Sequence, residues 1–212
     1  MRDRHKILFT TPNTAAKLRM IAVVLTGLIW ATLPAHSQKA AIRNNLLYDA
    51  TLTPNLGVEF RVGSAWTLGI NAGLQVWDMD SRPEQNKKLR HLLIAPNLRR
   101  YLSKSDTLFR RGYIETDILY SHYNVGNFKF PLGLYPDAKD RRFQGDLLAL
   151  GGKYGYGWML ARDWRIEAEA GVAVGYAWYK EYECPHCGNF LGEGNRIFLL
   201  PQLGINVVYV IN

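Results

Sequence analysis

The chain has 212 residues, 48% of them hydrophobic and 21% charged, proportions of an ordinary folded domain that exclude a disordered or low-complexity protein. Its formal net charge is +8, but residues 1–37 hold five of the 26 Lys and Arg and one of the 18 acids. The remainder carries +4, and a nucleic-acid-binding role loses its main support.

The first predicted element is a secretory signal peptide. Lys17 and Arg19 precede an apolar run at 20–33, and Ala35 and Ser37 occupy the small-residue positions of a cleavage site. About 14 apolar residues are too few to span a bilayer. The chain therefore divides into a signal peptide, 1–37, and one domain, 38–212, exported to an oxidising compartment.

After residue 37 no helical stripe persists, whereas period-two alternation does. Strands are predicted at 42–52, 55–63, 66–77, 89–102, 112–125, 147–160, 165–179 and 196–211. In the seventh, Ile166, Ala168, Ala170, Val172, Val174, Tyr176 and Trp178 share one face, while Arg165, Glu167 and Glu169 lie on the other. The fold class is all-β, an eight-stranded antiparallel transmembrane β-barrel. The links at 63–65, 103–111 and 161–164 are short or moderate, and those at 78–88, 126–146 and 180–195 are longer, as periplasmic turns and external loops alternate. Only 51–54 is short where an external loop belongs. Pro54, Pro96 and Pro201 recur in related stretches on downward strands, and Pro96 and Pro201 are expected to mark bulges.

Periodicity alone leaves open which face points inward. A soluble lipocalin-like barrel would bind a lipophile on an apolar lining, and an outer-membrane barrel would turn the apolar face to lipid. The polar face favours the membrane: Arg43, Asp49, Glu59, Arg61, Arg99, Glu115, Asp117, Lys153, Arg165, Glu167, Glu169 and Arg196 can neutralise one another in a lumen filled by side chains. Glycine concentrates on that same face. Apolar-face aromatics fall near strand ends, with Tyr48, Tyr120, Tyr176 and Trp178 toward the outer rim and Phe60, Trp66, Trp158 and Tyr209 toward the inner one. The stretches NNLLYDATLTPNLGVEFRVG at 44–63, PNLRRYL, and GGKYGYGWML with WRIEAEAGVAVGYAWY resemble a domain-of-unknown-function family of small outer-membrane barrels of Gram-negative bacteria. That resemblance implies an OmpX- or OmpA-type eight-stranded barrel, sometimes found with fimbria-related surface proteins, with no established activity.

The remaining chemistry is sparse, and no catalytic residue, metal site or cofactor is assigned. Ser121 and His122 are the pair a lipid A-modifying enzyme would need, but adjacency puts them on opposite faces of a strand. Glu115 with Asp117 and Glu167 with Glu169 have acid/base spacing, yet basic residues share their face and favour ion pairing. In the external loops Phe128, Phe130, Leu134 and Tyr135, with Lys139, Arg141 and Arg142, are candidates for interaction. Cys184 and Cys187, spaced C-x-x-C, admit a local disulfide, free thiols, a metal site or a redox pair; export and the loop context favour the disulfide. The expectation is a monomeric, non-enzymatic structural or surface-interaction protein of the outer membrane. Its partners are outer-membrane lipid and either lipopolysaccharide or a surface protein.

Overall fold

Eight antiparallel strands form a closed ring: β1 Ala40–Asn45, β2 Asn55–Arg61, β3 Trp66–Gln75, β4 Lys88–Tyr101, β5 Arg111–Gly126, β6 Arg141–Met159, β7 Trp164–Glu183 and β8 Phe190–Ile211. This computed structural model describes residues 40–76, 87–102, 111–127, 136–183 and 188–211, apart from the side chains of Arg111, Pro136 and Asp137. The signal segment lies outside the described residues, as do Phe128, Phe130, Leu134, Tyr135, Cys184 and Cys187.

The register fixes the ring's geometry. Ala41 pairs with Glu59, Glu59 with Gly69, and the line continues through Asn97, Asp117, Gly151 and Ala173 to Leu200. Ala41 also pairs with Val210, so the line returns to β8 displaced by ten residues, from Val210 to Leu200. A shear of ten over eight strands tilts the strands by about 40°.

The alternation resolves in favour of an apolar exterior. Leu68, Ile70, Ile118, Leu150, Val172, Val174, Leu199 and Leu203 are exposed, whereas Arg43, Glu59, Arg99, Glu115, Asp117, Arg165 and Glu167 are buried in the lumen. This is the reverse of a lipocalin's arrangement. Allowing for tilt, Phe60, Trp66, Trp158, Trp164 and Tyr209 share one height near the end where β1 begins, here the lower end. Tyr120, Tyr176 and Trp178 lie about ten residues higher, a separation of about 25 Å.

The first strand departs from expectation. It ends at Asn45 rather than near residue 52, and a short helix, α1 (Leu46–Ala50), follows. Asn45 supplies the reason: its side chain accepts the Leu47 amide at 3.0 Å, satisfying a free donor of the first turn. Asn55 reinforces the bend by accepting the Asn45 amide at 2.7 Å and donating to the Asn45 carbonyl at 2.9 Å. Tyr48 consequently lines the lumen instead of joining an outer belt.

The expected proline bulges are absent. Ile94 pairs with Tyr120 and Asn97 with Asp117, so Pro96 interrupts pairing to β5 without shifting its register. Pro201 stays in register opposite Val172. Among the described residues β8 is flanked at that height by β7 alone, since β1 pairs with Asn206–Ile211, and the proline has no second ladder there to break. The bulge lies instead at Glu181/Tyr182.

Strand length rises around the ring, from six residues in β1 to 22 in β8. β6, β7 and β8 start or finish well beyond the predicted bounds, taking residues 141–146, 180–183 and 190–195 out of the expected loops. Together with the end of β5 they project above the upper aromatics as a four-stranded sheet. Among the described residues, the β8 segment 190–205 has no strand beside it on the β1 side.

Candidate functional site in the barrel lumen

Arg99 is the centre of the lower lumen. It reaches Glu115 through Nε, Glu167 Oε2 at 3.0 Å and Glu59 Oε2 at 3.4 Å through Nη1, and Glu169 Oε2 at 3.2 Å through Nη2. Its guanidinium also lies 4.1 Å from the centre of the Tyr113 ring. Arg43 bridges Glu115 at 3.3 Å and Glu59 at 3.8 Å, and donates to Asn97 Oδ1 at 3.0 Å and Asn71 Oδ1 at 2.8 Å. Lys153 contacts Glu115 at 2.7 Å, Asp117 at 3.3 Å and Glu169 at 3.5 Å. Arg165 contacts Glu167 Oε1 at 2.6 Å.

Five carboxylates thus share four cations at almost complete burial. Charges taken from water in this way persist only where paired and hydrogen-bonded, and neutral groups complete the set. Tyr101 donates to Glu59 at 2.9 Å, Tyr113 to Glu169 at 2.9 Å, and Thr67 also donates to Glu59. Gln202 donates to Asp117 Oδ2 at 3.0 Å. Glycine makes room for this packing: a side chain at Gly155 would overlap the Tyr113 ring, and one at Gly151 would overlap the Asp117 carboxylate.

Among the described residues these side chains fill the lower lumen. The polar cavity beside them, lined in part by Tyr48, Lys153, Glu169 and Gln202, measures about 40 Å³ and admits a few waters. The pairs Glu115/Asp117 and Glu167/Glu169 are each held by cations, so neither presents an unengaged carboxylate for proton transfer.

The structure brings together most of the predicted lumen residues and separates three. Asp49 lies on exposed α1, where its carboxylate accepts from Asn55 at 2.9 Å, because the strand that would have turned it inward ends at Asn45. Arg61 sits at the lower end and donates to the Gly63 carbonyl at 3.0 Å. Arg196 is exposed at the upper mouth, 5.6 Å from the centre of the Phe198 ring. Tyr101 and Tyr113, absent from the predicted set, share the alternation of Arg99 and Glu115, which was the signal available for them.

At the upper rim, Tyr120 and His122 point outward and converge on Asp146 Oδ1 at 2.7 and 2.9 Å. Ser121 faces the lumen at 7% exposure, so it is not joined to His122. Of the basic loop candidates, Lys139 lies exposed on the 3-10 turn Pro136–Lys139, whereas Arg141 and Arg142 belong to β6. Arg141 pairs with Glu181, and Arg142 stacks 4.5 Å over the Tyr182 ring. Among the described residues no group of three or more His, Cys, Asp or Glu is placed to hold a metal.

No curated protein matches the chain. Among solved structures, it is similar to the translocator domain of the autotransporter NalP from Neisseria meningitidis, at 14% identity and a TM-score of 0.42 over 92% of this chain and 69% of that one. Residues 22–211 match the family described as Protein of unknown function (DUF3575), and the chain belongs to that family.

Proposed function

We propose that the chain is an integral outer-membrane β-barrel, exported with a cleaved signal peptide, that acts as a non-enzymatic structural and surface-interaction protein. One observation carries this reading: an exposed apolar band about 25 Å tall, bounded by two sets of aromatics, encloses a lumen that holds buried ion pairs. In water so continuous an apolar exterior is a liability, whereas lipid is as apolar as the band itself.

The interaction role rests on the projecting part of β5–β8. A strand edge standing in water carries backbone donors and acceptors able to pair with another chain. The rim beside it is aromatic and charged, with Trp178 exposed and Lys180 paired to Glu193 at 3.5 Å. Lipopolysaccharide or a surface protein is the partner such a rim would meet. To test this, Lys180→Cys is labelled on intact cells with a membrane-impermeant maleimide, the native cysteines having been replaced by serine. Labelling supports surface exposure, and labelling only after lysis refutes it. Lipid A from cells with and without the gene is expected to show identical masses; a gene-dependent acyl change would replace the non-enzymatic reading with an enzymatic one.

A further inference from the structure

Above the charge network the lumen changes character. Tyr123, Val125, Ala138, Phe143, Ala177 and Phe198 are buried there as one apolar cluster, with Leu89, Leu147, Tyr179 and Leu200 packed against it. Against this cluster lies a pocket of about 220 Å³, partly open to solvent. Leu89, Val125, Phe143 and Leu147 wall it, Ala138 of the 3-10 turn lines it, and His91, Ser121 and Tyr123 carry its polar groups.

Two physical facts make this space unlike ordinary packing. Protein interiors fill to crystal-like density, and a void among apolar side chains forfeits dispersion contacts on every wall. A sealed cavity of about 150 Å³ lined by aliphatic and aromatic groups takes up benzene; this pocket is larger and lined alike, and stands partly open to solvent. Placing apolar side chains inside a barrel near its water-facing end also gains nothing from lipid, which lies on the other face. An apolar occupant recovers the missing contacts.

We infer that the upper lumen is a binding site for a small, neutral, mainly apolar molecule carrying one hydroxyl or carbonyl group. Size follows from the volume, on the order of ten non-hydrogen atoms. Neutrality follows from the lining, which among the described residues holds no carboxylate, lysine or arginine to offset a charged ligand's lost hydration. The ligand's hydrogen-bonding group is matched to His91, Ser121 and Tyr123, which stand close together because Leu93 pairs with Ser121 and His91 with Tyr123. The buried ion pairs lie deeper in the lumen, below this site. This inference is independent of membrane insertion, since it uses only the lumen.

The test is a fluorine NMR titration of 4-fluorophenol into the mature chain, in phosphatidylcholine nanodiscs, or in buffer if the chain stays soluble. A saturable shift with a Kd at or below about 1 mM is expected, above the linear partitioning of the phenol into lipid. Ala138→Leu and Ser121→Leu, each filling the cavity, are expected to weaken binding at least tenfold. Leu150→Ala on the outer face is expected to leave it unchanged. Two variants guard against one failing to fold, and the heat-dependent gel shift of each reports its barrel. Absence of saturation in the folded parent, or equal binding by the parent and a folded cavity-filling variant, overturns the proposal.

Discussion

Replacing Arg99 with methionine removes the cation that touches the most carboxylates in the lumen while keeping much of its volume. The residues it leaves differ in what remains to them. Glu115 keeps Arg43 and Lys153, Glu169 keeps Lys153, and Glu167 keeps Arg165. Glu59 keeps Arg43, at 3.8 Å, and the attraction of Arg165, with its bonds from Thr67 and Tyr101. Five carboxylates then face three cations at near-zero exposure, and removing one partner of a buried pair costs about 3–5 kcal/mol. Glu59 is left with the longest of the remaining ion pairs, so Glu59→Gln added to Arg99→Met is expected to recover about 1–2 kcal/mol by relieving the excess of carboxylates over cations. Urea unfolding of barrels folded into vesicles, followed by tryptophan fluorescence, measures both. An Arg99→Met change below about 1 kcal/mol, or a double variant less stable than the single one, would refute the view that the lumen is an obligate ion-pair core.

Other consequences are as specific. Gly155→Val drives a branched side chain into the Tyr113 ring and is expected to cost about 1–3 kcal/mol in the same assay, with Gly152→Val, where a side chain meets open space, much milder. Asn45→Ala removes the α1 cap and should destabilise by about 0.5–2 kcal/mol. A lipid-facing charge reads depth: Leu203→Arg, near the middle of the span between the two sets of aromatics, is expected to cost about 2–4 kcal/mol, and Leu191→Arg, above them, close to nothing. Cys184 and Cys187 are expected to take up a thiol reagent only after reduction, as a disulfide clip between β7 and β8 requires.

Much of this architecture was legible because a strand's period of two needs no knowledge of neighbours. Arg99, Glu115, Lys153 and Glu167 announced their shared face by alternation alone, and the ring brought them together. Arg61 and Arg196 show what alternation omits: it assigns a face but not a height, and height follows from the shear, which exists only once the ring closes. Asp49 was lost to a local contest, in which the Asn45 cap turned the chain into α1 before the strand reached it. The ends of β6–β8 were read as loops because polar and glycine residues there, such as Gly145 and Gly194, break the alternation although pairing continues. The apolar upper lumen followed from the same gap, since Tyr123, Phe143 and Phe198 reveal themselves as lining residues only when strands from across the ring face one another.

The central claim is that the exposed apolar band lies in lipid. Fractionation of cells expressing the chain, with the outer-membrane fraction run unboiled and boiled on an SDS gel, tests it most directly. The protein is expected in that fraction, migrating at a different apparent mass before boiling. Recovery with soluble periplasmic contents and no shift on heating would contradict it.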